Sequence, residues 1–299
     1  AKDRPVEQTS EFIQTSLIEG AWPTDAKLRA AREVSFEELQ SFSEALLSQV
    51  DPVMMAHGNL TEASTLNLAR QIDAIVLGNS ELVRVARSQV RQLPDNETLV
   101  SIDVDHPDTG YTLYMQGDNT SFEERARFRL LAQIISSPFY EEIRTTRQMG
   151  YIVYATPFEM LETPALGFVV QSPSASPAEI DQAVQEFSNS FEETLSALTA
   201  ERLDREKQAV ISKLLERDRQ LGEISSRYWR EIDRGMDTFD SRQQLANAIK
   251  QVGKPQLLET FKKAVLERKQ ALEVVTGGNG LEANRALGRL TELPPVPAS

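Results

Sequence analysis

The run Phe139-Tyr140-Glu141-Glu142-Ile143-Arg144-Thr145-Thr146-Arg147-Gln148-Met149-Gly150-Tyr151-Ile152-Val153 reads as a helix that passes into a strand. Arg144 falls on the last helical turns, Gly150 stops the helix, and Tyr151 opens the strand. A guanidinium fork and a phenol at such a junction can grip peptide carbonyls or a developing oxyanion. The same residues have a structural reading. An arginine near a helix C-terminus answers the dipole, and an amphipathic tyrosine suits a sheet end. On residue chemistry alone the structural reading is the stronger.

Upstream and downstream of this junction the helix-start signals are clear. Ser176-Pro177-Ala178-Glu179 combines an N-cap serine, proline at the first helical position and a capping-box glutamate. Ile180, Val184, Phe187, Phe191 and Leu195 then form one apolar stripe of a long helix. Ser35…Glu38 and Ser121…Glu124 open helices carrying Leu39, Phe42 and Leu46, and Phe128, Leu131 and Ile135. A charge-rich helix is expected from about Glu201 to Arg219, and another carries Leu221, Ile224, Tyr228 and Ile232.

Strands are expected at Val53–His57, Leu99–Val104, Tyr111–Gln116, Tyr151–Thr156, Leu166–Gln171 and Leu272–Thr276. The turn His106-Pro107-Asp108-Thr109-Gly110 suggests that the second and third form a hairpin, and the fourth and fifth a second one. Hairpins followed by helix runs predict an α+β fold, helices packed on an antiparallel or mixed sheet.

An internal echo adds to this. Val34-Ser35-Phe36-Glu37-Glu38-Leu39 resembles Val252-Gly253-Lys254-Pro255-Gln256-Leu257, and Phe42 falls opposite Phe261. Gly58-Asn59 likewise matches Gly278-Asn279. An ordered series at near-constant offset suggests a duplicated unit, complete in the later copy and lacking its first half in the earlier one.

The acidic balance, a formal net charge of −13, makes nucleic acid an improbable partner, because phosphate binding needs a cationic surface. No apolar run is long enough for a membrane helix, so no membrane partner is expected. With no cysteine there is no disulfide, thiolate metal site or cysteine nucleophile. The two histidines, His57 and His106, fit neither H-E-x-x-H nor H-x-x-E-H. His57 reads as the polar end of a strand and His106 as a turn residue. Gly277-Gly278-Asn279-Gly280 lacks the Lys-Ser/Thr of a phosphate loop and reads as a turn.

The stretch Arg144-Thr145…Gln148-Met149-Gly150-Tyr151-Ile152-Val153 resembles the L-R-T-x-x-Q-L-G-Y-I-V run of the pitrilysin/insulysin zinc metallopeptidases. Ile143 and Met149 stand where the family has leucine. Further matches are His57-Gly58-Asn59-Leu60-Thr61, Ile134-Ile135-Ser136, Arg227-Tyr228-Trp229-Arg230-Glu231-Ile232 and Phe239-Asp240. In order and spacing they span about Phe36 to Gly280.

The resemblance implies four homologous α+β domains of the peptidase M16 type, in two halves around a chamber. The zinc motif lies in the first domain. This chain resembles the C-terminal, non-catalytic half: residues 1–90 the end of the third domain, mostly helical with one strand, and 91–299 a complete fourth domain. Arg144 and Tyr151 match the arginine and tyrosine that reach the scissile peptide, and with the family in view they become substrate residues. No zinc ligand carries over, so this chain is expected to hold no cofactor, with zinc in the full-length enzyme only.

The implied partners are the N-terminal catalytic half of the same enzyme and peptide substrates. An uncovered sheet edge leaves self-association of the isolated chain open. Likeness to pitrilysin implies a periplasmic location, with cytoplasm as the alternative. Rival readings are a stand-alone zinc-free partner subunit and a non-enzymatic protein-binding module. Metal analysis of the purified chain should find zinc well below stoichiometric, and peptide assays no hydrolysis. Stoichiometric zinc with cleavage that a chelator abolishes contradicts this assignment.

Overall fold

A computed structural model of the chain describes residues 4–78, 80–278 and 280–298. They gather into two compact units, Ala1–Ala21 with Ser88–Glu216 and Asp240–Ser299, and Trp22–Arg87 with Arg217–Phe239. The first unit is built on five strands: β1 (Glu97–Ile102), β2 (Thr109–Gln116), β3 (Ile152–Pro157), β4 (Ala165–Ser172) and β5 (Ala271–Thr276). Their order in the sheet is β1-β5-β2-β4-β3. β1 and β5 run parallel while the other neighbours are antiparallel, so the α+β class with a mixed sheet holds.

Two strand expectations need correction. β1 and β2 form no hairpin, because β5 lies between them, parallel to one and antiparallel to the other. The connector 103–108 must therefore span two strand spacings, roughly 10 Å, which its six residues allow and a two-residue turn would not. The second correction concerns Val53–His57, which forms no strand. The strand nearby is Gln49–Val50, paired in parallel with Glu81–Leu82. Residues 53–57 have no ladder partner among the described residues, and an extended segment without one is not a strand. β3 and β4 do form the expected hairpin, from Ile152↔Gln171 to Pro157↔Leu166.

Helices cover both faces of the sheet. In chain order they are α1 (Pro5–Leu17), α2 (Phe122–Tyr140), α3 (Pro177–Ser196), α4 (Ala200–Leu214), α5 (Ser241–Gln251), α6 (Lys254–Phe261) and α7 (Gly280–Leu290). Alternation along β2 sends Tyr111, Leu113 and Met115 into one core with residues of α2 to α6. Tyr114 enters the other, with Ile13 and Leu17 of α1 and Ala286 and Leu290 of α7. Thr9 of α1 and Thr112 of β2 tie that second layer through their hydroxyls at 2.7 Å.

The capping box at Ser176 starts α3 as its sequence dictates: the Ser176 N–H donates to Glu179 Oε2 at 2.8 Å, and the Glu179 N–H donates to Ser176 Oγ at 3.3 Å. The apolar stripe of α3 is buried throughout. Phe139 stacks on Phe168 at 4.5 Å, and Phe187, Phe191 and Phe261 continue the aromatic contacts across α3 to α6. Each such ring buried contributes about 1.5–3 kcal/mol.

Among the described residues the second unit has four α-helices, Thr24–Glu33, Phe36–Ser48, Glu62–Ile72 and Leu221–Arg234. Ser35 caps the second of them as expected. Yet its apolar stripe, Phe36, Leu39, Phe42 and Leu46, is exposed by more than half at every position. Helix, helix, strand and helix nevertheless follow in the same order as α5, α6, β5 and α7 of the first unit. Of the Gly-Asn pairs in the echo, Asn279 lies outside the described residues.

One ionic knot crosses the first core. Arg268 meets Glu97 at 2.6 Å, Asp181 at 2.7 Å and Glu273 at 3.5 Å. The Tyr111 hydroxyl donates within reach of Asp181 and Glu273, at 3.1 and 3.2 Å. Three carboxyls share one buried guanidinium: Glu273 is buried with it, while Glu97 and Asp181 reach it from partly open positions. Burial, then the neighbouring Asp181, pushes Glu273 from 4.5 up to about 8. The folded state thus holds a proton that the unfolded chain has released. The stability this proton confers is full below about pH 4.5 and is lost as pH rises through about 8. Thermal melts should weaken between about pH 5 and 8, and Glu273→Gln should flatten that decline. Parallel declines in the two proteins would show that another group titrates.

Candidate substrate-contact site

Three segments of the first unit meet at one end of its sheet. After α2 the chain widens into a π-type turn, Glu141–Thr146, with Ile143 buried beneath it. Arg147 caps the turn by pairing with Glu142 at 2.7 Å and with Glu186 of α3. Gln148 takes a left-handed φ of 56°, which reverses the chain toward β3. Gly150 then passes so close to β4 that a Cβ there would lie 2.4 Å from the Gln171 carbonyl oxygen. Only glycine fits that approach. It lets the Tyr151 N–H donate to the same carbonyl at 3.0 Å.

Arg144 and Tyr151, the two residues singled out in the sequence, are brought together here. The Arg144 guanidinium donates to the Tyr151 carbonyl oxygen and lies over the Tyr140 ring, 5.6 Å from its centroid. Tyr151 is 48% exposed, so its phenol stands open to a ligand.

That phenol is also held. Its O–H donates to Asp108 Oδ2 at 2.6 Å, while Gln171 Nε2 donates to the phenol oxygen at 2.6 Å and to Asp108 Oδ2 at 3.2 Å. The Tyr151 bond holds the Asp108 carboxyl below its ordinary range, and the same bond raises the Tyr151 phenol above its own. Asp108 is fixed in turn: its N–H donates to His106 Nδ1 at 3.0 Å, and its carbonyl lies 3.5 Å from Thr276 Oγ1. Sequence reading gave Asp108 and His106 only as turn residues and passed over Gln171. The turn motif was visible, but its meeting with β3 and β4 was not.

His57 does not end a strand. Its Nδ1 lies 2.8 Å from Ser225 Oγ, and its ring meets Tyr228 edge-on at 5.2 Å, within the second unit. Tyr228 also packs against Phe239 and under the Arg227 guanidinium, which pairs with Asp218 at 2.7 Å. Three of the short matching fragments thus share one cluster. Among the described residues, no group of three or more His, Asp or Glu is placed to hold a metal ion.

Residues 130–229 match the family described as PQQ synthase PqqF-like, C-terminal lobe domain 4. The chain is 26% identical to human insulin-degrading enzyme over 267 residues, 87% of this chain and 26% of that protein. It is 28% identical to protease 3 of Escherichia coli K12 over 270 residues, 88% of this chain and 27% of that one. The crystal structure of pitrilysin has the same fold, with a TM-score of 0.84 at 23% identity over 98% of this chain and 33% of that chain.

The resemblance to the pitrilysin family is borne out.

The chain spans about a quarter of the length of these curated relatives. The span 130–229 matched by the PqqF-like family model includes Arg144, Tyr151 and Gln171, and leaves Asp108 outside it.

Proposed function

We propose that this chain is the C-terminal, zinc-free part of a pitrilysin-type metalloendopeptidase, and that it encloses peptide substrates and presents Arg144 and Tyr151 to them. Residues 1–90 would close a third domain and 91–299 form the fourth. The observation that carries this reading is the joint placement of Arg144 and Tyr151 at one open sheet end. Both come from the run that carries the family resemblance, and the phenol is exposed while its backbone is pinned on both sides.

Supporting it, the matched family model describes a C-terminal lobe domain, and the relatives are proteases. The exposed stripe Phe36, Leu39, Phe42 and Leu46 suits one wall of a core whose other wall is supplied by the rest of a larger enzyme. That observation favours the peptidase part over a stand-alone partner subunit or a binding module.

In the assembled enzyme, the other half would bring zinc and its water. Zinc supplies Lewis-acid polarisation of the carbonyl. Arg144 and Tyr151 would orient the peptide backbone beside it and meet its changing polarity. A periplasmic location goes with this proposal.

Co-expression with the N-terminal half of the same enzyme should restore peptide cleavage. There, Tyr151→Phe and Arg144→Ala should each lower kcat/KM by roughly 10–10³-fold with zinc content unchanged. Wild-type rates in both variants return the two residues to a structural role.

A further inference from the structure

Arg144 rides on the turn Glu141–Thr146, whose π-type winding is wider than that of an α-helix. Of the six residues in this turn only Ile143 is buried, so apolar packing fixes it at one point. The Met149 N–H, donating to the Ile143 carbonyl at 2.9 Å, returns to that same residue. A single point of contact leaves the tilt of the turn open.

The second point is ionic. Arg147, which closes the turn, donates from Nε to Glu142 Oε1 at 2.7 Å and from Nη1 to Glu186 Oε2 at 2.5 Å. Glu142 belongs to the turn and Glu186 to α3, so one planar guanidinium bridges the two elements. The α3 end of the bridge is itself held. Glu186 Oε1 accepts Gln182 Nε2 at 2.9 Å, and the next residue, Phe187, belongs to the buried stripe. The Arg147 bond also holds the Glu186 carboxyl below its ordinary range, so it stays charged near neutral pH. In the family run R-T-x-x-Q, Arg147 stands at a position that the run leaves open.

From this arrangement we infer that Arg147 is a positioning residue: its bridge from Glu142 to Glu186 sets the tilt of the turn, and through it the direction in which Arg144 meets a peptide substrate. Arg147 touches no substrate in this role. Its side chain is 30% exposed, so salt screens the bridge. The inference rests on the peptidase reading and deepens it, by adding a residue that acts through Arg144.

The test is a double-mutant cycle in the assembled enzyme, this chain co-expressed with the N-terminal half. Arg147→Met should lower kcat/KM by roughly 3–10-fold, the weight of two exposed ion pairs, with zinc content unchanged. Glu186→Gln, a half-exposed change on the α3 side, should lower it by about 2–3-fold. In an Arg144→Ala background both substitutions should change nothing, because the group they aim is gone. The ratio of wild type to Arg147→Met should close toward one between about 0.05 and 0.5 M salt, as screening releases the bridge. A ratio that salt leaves unchanged overturns the ionic bridge as the cause. Equal losses with and without Arg144 overturn the positioning role, as does a wild-type rate in both Arg147→Met and Glu186→Gln. The peptidase reading survives each of these results so long as Arg144→Ala is slow. A wild-type rate in Arg144→Ala removes the substrate role of Arg144 and the inference with it.

Discussion

The arrangement depends on one strand taking its place between two that precede it by some 160 residues. β5 enters the sheet between β1 and β2, and its last residue closes the contact on which the site rests. Thr276 Oγ1 accepts the Gly110 N–H at 2.8 Å and lies within reach of the Asp108 carbonyl. The 103–108 connector is thereby fastened over the end of an inserted strand. Asp108 leaves that connector pointing at Tyr151, and the phenol is held by what the sheet has already fixed. Each inward residue of β5 is buried, so the strand is fastened along its length by apolar contacts as well as by two ladders.

Below the site, the Arg268 knot joins β1, β5 and α3 through Glu97, Glu273 and Asp181. A buried cation with three carboxyls is costly unless its geometry is satisfied, and it adds little net stability. What it does supply is register: β5 cannot slip by one residue without turning Glu273 to the other face of the sheet, away from Arg268. The ionic knot and the Thr276 contact thus hold the two ends of the same strand in one alignment. The second unit differs in kind, since its amphipathic helix at Phe36–Ser48 leaves its apolar stripe exposed.

Local features were legible in the sequence. The capping residues Ser35, Ser121 and Ser176 start helices where their motifs place them, and the β3–β4 hairpin has its expected strands. Such signals depend on neighbours a few residues away. What misled was non-local. The residues between β1 and β2 look like a turn, and nothing near them announces a strand from position 271 onward. Val53–His57 has strand composition but no partner, and composition cannot provide one. At the site, Arg144 and Tyr151 were found through their run and its family likeness. Asp108 and Gln171 were not, because three distant segments must fold before their side chains meet.

Whether the end of β5 fixes the Asp108 turn decides whether the Tyr151 phenol is held. Amide hydrogen exchange in a Thr276→Val protein tests it directly, because valine keeps the shape and removes the acceptor for Gly110. Exchange at Gly110 should quicken by roughly tenfold or more, the cost of an unsatisfied buried N–H. The Tyr151 N–H, which donates to Gln171, should follow, while Val274 in the middle of β5 keeps its protection. Unchanged exchange at Gly110, or equal loosening of Gly110 and Val274, would contradict it.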